Sequence, residues 1–211
     1  MKIKKKVKKL KLFSKQKISM GLEEIRKEIE ECKECKKGKF GLAVPGEGNP
    51  KAKIFFLGEA PGKEEAKTGK PFVGRAGKFL TKVLNEIGIK REEVFITSPV
   101  KYYPGKRDLT KEEIEHGMTH TLKQIEAINP KIIVLLGNVA LKGLFPEKKL
   151  KVSEVHGKVL RKGNRICFPT FHPASAMRFP RIRELMEEDT EKLKKILIKL
   201  NKKINSFSTK F

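Results

Sequence analysis

With 211 residues the chain can bury a full core without staples, and its three cysteines make a poor disulfide framework but a reasonable start for a metal site in a reducing compartment. The 49 Lys+Arg against 25 Asp+Glu leave a formal charge of +24, which attracts polyanions, because counterion release on phosphate binding supplies affinity whatever the sequence. No apolar run is long enough for a membrane-spanning helix, while charge alone leaves DNA, RNA and an acidic membrane surface open.

The first dozen residues, MKIKKKVKKLKL, interleave lysines with Ile, Val and Leu. Residues 1–20 read as a flexible basic arm or, equally, an inert solvated tail. With no apolar h-region or cleavage site after it, the run is not a secretory signal, and a cytoplasmic, nucleoid-associated protein is expected. Gly21 to Lys36 has helical periodicity, with Leu22, Ile25 and Ile29 on one face. Beyond a connection rich in Gly and Pro, Lys53–Leu57 (KIFFL) is a buried strand, Ala76–Ile87 a helix and Val94–Thr97 a strand. Lys111–Ile128 is helical, Lys131–Leu136 (KIIVLL) is a second buried strand, and Val139–Leu144 is a short helix. Val159–Leu160 and Ile166–Phe168 look like paired strands, and Arg183–Asn201 is a long terminal helix. Apolar strands alternating with helices predict an α/β fold, a three-layer αβα sandwich around a central, mostly parallel sheet. It would form one domain over 21–201, followed by a tail over 202–211.

Ligands of such sheets bind at the carboxyl ends of the strands, so the loops after Leu57, Thr97, Leu136 and Phe168 are where function is expected. The first runs Gly58-Glu59-Ala60-Pro61-Gly62-Lys63-Glu64-Glu65, with glycines that let backbone approach a ligand and carboxylates at Glu59 and Glu65. It lacks the Gly-Lys-Ser/Thr ending of a phosphate-binding loop. Phe72, between Pro71 and a Gly-rich helix start, can present its ring to a planar ligand, although a core Phe pinning the loop explains it as well. In the last loop His172 is followed by Pro173, and a rigidly aimed imidazole stabilises developing negative charge by donating a hydrogen bond. Beyond it, Met177 and Arg178 offer an apolar wedge and a cation to a minor groove.

Taken in order, GEAPGKEEAKTGKPFVGRAG, ITSPVKYYPGKR, PKIIVLLGNVAL and FPTFHPASAMR closely resemble the family 4 uracil-DNA glycosylases, from about Leu22 to the terminal helix. The resemblance implies a monofunctional DNA repair enzyme that flips uracil out of the duplex and hydrolyses its N-glycosidic bond, leaving an abasic site. Phe72 would stack on the flipped base, and His172 would contact uracil O2 and stabilise the leaving anion. Ala60, through its backbone, and Glu65, through its carboxylate, would hold the attacking water. Glu59 would sit near the C5 edge and help exclude thymine, and Pro173 to Arg178, including Ser175 and Met177, would press into the minor groove. The chemistry agrees: glycosidic cleavage puts positive charge on the sugar and negative charge on the base, which Glu65 and His172 match from opposite sides. Lys101, Lys106 and Arg107 flank a Pro104-Gly105 turn and are expected on the DNA backbone, the alternative being a solvated turn.

Two positions depart from the family. Where it carries Asn, this chain has Ser98; a hydroxyl offers one donor on a rotor, whereas an amide donates and accepts with fixed geometry. Hypoxanthine and xanthine therefore remain alternative lesions, as does a damaged-DNA binder with weak catalysis. The family also holds a 4Fe–4S cluster on four cysteines. Cys32 and Cys35 match two of these, but Tyr102 and His116 stand at the others. His116 and His120, four apart on one helix, point to one face; with Cys32 and Cys35 they make a Cys2His2 set that suits zinc. Zinc, a surviving cluster and no metal are all open, and the chemistry needs none of them. Cys167, in an apolar strand, reads as core packing. The partner is DNA containing deaminated bases, and the chain is expected to be a monomer whose tails are free to meet a sliding clamp or another repair protein.

Overall fold

In the computed structural model, residues 20–208 are described, with side chains through 200; the expected basic arm lies outside them apart from Met20. The elements are α1 (Leu22–Glu31), α2 (Lys33–Lys36), β1 (Glu47–Gly48), β2 (Ile54–Leu57), α3 (Lys63–Thr68), α4 (Arg75–Glu86), a 3-10 turn (Arg91–Glu93) and β3 (Phe95–Thr97). They continue with α5 (Lys111–Ile128), β4 (Ile132–Leu136), α6 (Gly137–Leu144), α7 (Val152–Val155), β5 (Leu160–Lys162), β6 (Arg165–Thr170), α8 (Pro173–Arg178) and α9 (Pro180–Ser208).

The six strands lie in the order β1-β3-β2-β4-β6-β5. The four central strands are parallel and the two edge strands antiparallel. Alternation along the strands sends side chains to two separate cores. Phe55, Leu57, Ile133 and Leu135 pack with Met118 and Ile125 of α5 and Leu141 and Leu144 of α6. Ile54, Phe56, Ile132 and Val134 pack with Leu80 and Leu84 of α4 and Leu193 of α9. Both faces of the sheet are thus covered by helices, which is the sandwich expected from strands apolar throughout.

Local chemistry moved several boundaries. The helix expected over Gly21–Lys36 breaks at Cys32, which leaves helical geometry at ψ 104° and caps α2 by accepting from Cys35 N–H. The terminal helix starts at Pro180 rather than Arg183 and runs to Ser208, past the expected end at Asn201. Proline suits the first turn of a helix, where its missing N–H has no partner to lose. Pro173 does the same for α8, which is too short for periodicity to reveal. Helix α3 is likewise short, six residues with Gly62 before it and left-handed Gly69 after it.

Candidate active site

Because β3, β2, β4 and β6 are parallel, their carboxyl ends share one edge of the sheet, and the loops leaving them converge. Gly58 N–H donates to Thr97 O (2.8 Å), joining the first two loops. A side chain at Gly58 would come within 2.7 Å of the Phe72 ring and 3.0 Å of Ser98 Oγ, so Gly58 is the floor on which both sit. The Phe72 and His172 rings lie 5.8 Å apart, tilted by 34°. Phe72, Ser98 and His172, read from three separate loops, therefore face one small space.

Phe72 is held there against its own preference. Its φ is +51°, a left-handed conformation uncommon for a bulky residue, and such strain persists only where the surroundings over-determine it. Arg91 Nη2 donates to Pro71 O just before it, and α4 packs so closely behind it that a Cβ at Gly77 would lie 1.8 Å from Phe72 O. Gly77 was not singled out in the sequence, although a glycine inside a helical pattern is a signal for such an approach; Arg91 carried no local signal.

Glu65 is buried, and its carboxylate organises the loop. Oε2 accepts from Gly62 N–H at 3.0 Å, and Oε1 accepts from Val73 N–H at 2.9 Å and Gly74 N–H at 2.8 Å. Three of about four acceptor positions are spent, leaving room for one further donor such as a water. The carboxylate thus grips the backbone immediately after Phe72. Glu59 is exposed at the mouth, its carbonyl accepting from Val100 N–H at 3.4 Å, and Ala60 is half-buried beside it.

His172 caps α8: its Nδ1 accepts from Ala174 N–H at 3.2 Å. The ring proton is then on Nε2, free to donate into the space beside Phe72. Burial pushes the imidazole pKa down to about 4, so it is neutral at physiological pH. The strand leading to it is anchored by residues that no motif singled out. Asp189 of α9 is fully buried, accepts from Thr170 Oγ1 at 2.8 Å, and lies 3.0 Å from His156 Nδ1. The His156 ring in turn packs 4.7 Å from Phe171.

Helix α8 carries the half-exposed Ser175 and the exposed Met177 and Arg178 away from His172, and Arg178 lies 5.9 Å over the exposed ring of Phe179. Phe179 adds a second apolar side chain to that surface.

One expected DNA contact is wrong. Lys101 is only 1% exposed; its Nζ donates to Thr97 Oγ1 (2.9 Å) and Gln124 Oε1 (3.1 Å), and burial lowers its pKa to about 7. It turns inward because the loop after β3 packs against α5, whose Gln124 also donates to Pro45 O and so completes a buried polar network. Lys106 and Arg107 stay outside, but the Arg107 fork is bidentate to Glu113 at 2.8 and 2.6 Å. Accordingly, Lys101→Met is expected to leave the salt dependence of DNA binding unchanged, whereas Arg178→Ala should flatten the log–log slope by about 0.9, the loss of one phosphate contact. Titrations at several salt concentrations check both, and a flattened slope for Lys101→Met would refute the inward role.

A second group of side chains meets at the α1–α2 corner. Donor atoms of Cys32, Cys35, His116 and His120 all lie within 4.8 Å of one another, with Cys35 and His120 buried and the other two half-buried. Tyr102, at the third cluster position, instead donates its hydroxyl to Glu30 O at 3.1 Å. Cys167 is fully buried in the core below the sheet, as expected.

Residues 45–200 match the Uracil DNA glycosylase superfamily model. The chain is 46% identical over 187 residues to the type-4 uracil-DNA glycosylase of Saccharolobus solfataricus, an alignment spanning 83% of this chain and 86% of that protein. It is 44% identical over 187 residues to the type-4 enzyme of Sulfurisphaera tokodaii, covering 84% and 85%. A type-5 uracil-DNA glycosylase of Thermus thermophilus is 32% identical over 125 residues, 52% of this chain and 57% of that one. Fold, converging loops and relatives agree: the chain belongs to the uracil-DNA glycosylase superfamily, and within it to the type-4 family.

Proposed function

We propose that residues 21–201 form one glycosylase domain that removes uracil from DNA by hydrolysis. The reading rests chiefly on the Phe72 ring lying 5.8 Å from that of His172, with the Glu65 carboxylate holding the backbone just after Phe72. A flipped base stacks on Phe72. As the bond from C1′ to the base breaks, its electron pair passes to the base, and His172 Nε2–H donates to the oxygen on which negative charge gathers. Water held by the Ala60 backbone and Glu65 adds its hydroxyl to C1′; its proton leaves to solvent, and the base anion takes one from solvent. The products are free uracil and an abasic site. No dissociable cofactor enters, and we read the Cys2His2 group as structural. Among the described residues no helix is long and apolar enough to cross a membrane. A monomer in the nucleoid, with a sliding clamp or another repair protein as a partner for the tail sequences, completes this reading.

Glu59 at the mouth stands near the edge where thymine carries its methyl group. Ser98 favours a second reading on lesion choice, because its hydroxyl is buried in the pocket wall where an amide would read uracil on two atoms. Duplexes each carrying a single uracil, hypoxanthine or xanthine, treated with alkali after incubation, separate the possibilities. Cleavage at uracil is expected; cleavage at hypoxanthine alone would overturn the uracil reading, and none at any lesion would leave a binder. Ser98→Asn is expected to raise the uracil-over-hypoxanthine ratio of kcat/KM by roughly 5- to 150-fold, the equivalent of about 1–3 kcal/mol for one bidentate contact.

A further inference from the structure

The corner joining α1, α2 and α5 gathers two thiols and two imidazoles from positions 84 residues apart in the chain, and its dimensions discriminate between metals. His116 Nε2 lies 3.2 Å from Cys32 Sγ, Cys35 N–H donates to Cys32 Sγ at 3.4 Å, and the His116 and His120 rings stand edge to face with centroids 5.5 Å apart. Four ligands around one tetrahedral zinc, with bonds of about 2.0–2.3 Å, are roughly 3.3–3.8 Å from one another. The observed set, within 4.8 Å, reaches that by closing about 1.5 Å at most. A four-iron cubane makes the opposite demand: each ligand caps a different corner of the cube, so the four must stand well apart, and such clusters want thiolates. Two of the family's cluster positions here are Tyr102 and His116, and the Tyr102 hydroxyl is already committed to Glu30 O. The residues do not fit the cluster.

One observation points to a ligand directly. His120 is buried, yet both its ring nitrogens lack a hydrogen-bond partner. Two orphaned nitrogens in a buried ring are costly, and water or a metal normally relieves them. Glu28 Oε1 lies 3.3 Å from His120 Nδ1 outside hydrogen-bond geometry, with Lys123 on the same carboxylate. A carboxylate behind one nitrogen of a histidine whose other nitrogen faces a metal is the usual outer-shell arrangement of zinc sites.

We propose that Cys32, Cys35, His116 and His120 hold a single zinc ion in place of the family's iron–sulfur cluster. With four protein ligands the ion has no open position, so it binds no water or substrate; it ties the α1–α2 corner to α5. Helix α5 follows the loop bearing Ser98 and Lys101, so the ion braces the far side of the base pocket. Zinc occupancy is independent of which base the enzyme removes.

The test is elemental analysis of the full chain, expressed without added metal and purified under anaerobic conditions. About one zinc per chain is expected, with neither brown colour nor acid-labile sulfide. Iron and sulfide in equal, multiple equivalents would overturn the proposal, and so would a protein that retains no metal and takes up no zinc. His120→Ala is the discriminating variant, because a cluster on the family's positions does not use His120. It should weaken zinc affinity by roughly a hundredfold or more, and unchanged zinc content and affinity would refute the assigned ligand set. Chelator-stripped wild-type protein gives the same comparison without a mutation: its melting temperature should fall and recover with one equivalent of zinc, and no change on stripping would count against a structural ion.

Discussion

Replacing His172 with Ala is expected to lower kcat by about 10²–10³-fold, the usual loss when one preorganised donor to a developing anion is removed. Affinity for uracil-containing duplex should change little, because in the proposed mechanism His172 acts most strongly on charge that appears only as the glycosidic bond breaks. Its geometry explains why a neutral imidazole suffices. Nδ1 is committed to the Ala174 N–H, which places the proton on Nε2, and burial lowers the pKa from 6.5 to about 4. Protonating Nδ1 would set two donors against each other and break the cap of α8. On this account kcat/KM loses the contribution of His172 only as pH falls towards 4. Stability follows the same direction: the folded pKa lies below the unfolded one, so between them the unfolded chain binds the proton more readily. The stabilisation associated with neutral His172 is present above about 6.5 and is lost as pH drops through about 4. Single-turnover kinetics with separate binding measurements check the first claim, and equal losses in binding and turnover would contradict it.

Glu65→Ala should be damaging twice over. Three backbone N–H groups, of Gly62, Val73 and Gly74, would lose their acceptor at once. Each such loss costs about 1–3 kcal/mol when unrelieved; with water entering the pocket, a total of roughly 2–4 kcal/mol is expected, and Phe72 should lose its fixed position. Turnover should fall by about 10²–10⁴-fold, the range for a group that orients or deprotonates an attacking water. Glu65→Gln separates the two effects. Its remaining carbonyl oxygen can still accept from Val73 and Gly74, so most of the stability should survive, while the negative charge that the proposed mechanism directs at the sugar is gone. Turnover near that of wild type in Glu65→Gln would show that Glu65 only shapes the loop; a loss comparable to Glu65→Ala, with the melting temperature largely kept, would show that its charge participates.

Most of the scaffold was legible along the chain because strands buried on both faces announce themselves. KIFFL and KIIVLL can sit only at the centre of a covered sheet, and the Lys111–Ile128 helix matched its expected ends because Thr110 and Glu113 form a capping box. The short helices α3 and α8 were not legible, since one or two turns give periodicity nothing to repeat. The functional loops were recognised from their motifs, but Glu65 and Phe72 looked like independent residues. Only the folded chain shows the carboxylate of one gripping the backbone just beyond the other.

Side-chain direction was beyond the linear pattern as well. Lys101 sits among Tyr102, Lys106 and Arg107 on what looked like a single basic turn, yet it points inward to Thr97 and Gln124, because the loop after β3 is pressed onto α5. Asp189 and His156 lie far from any motif and still set the end of β6 through Thr170 and Phe171. Composition and periodicity report which residues must avoid water and at what spacing, so they determined the layers, the sheet and the edge at which the loops meet. Which polar groups then face each other depends on contacts between segments tens of residues apart, and closing the chain decides those: the Glu65 clamp and the buried Lys101.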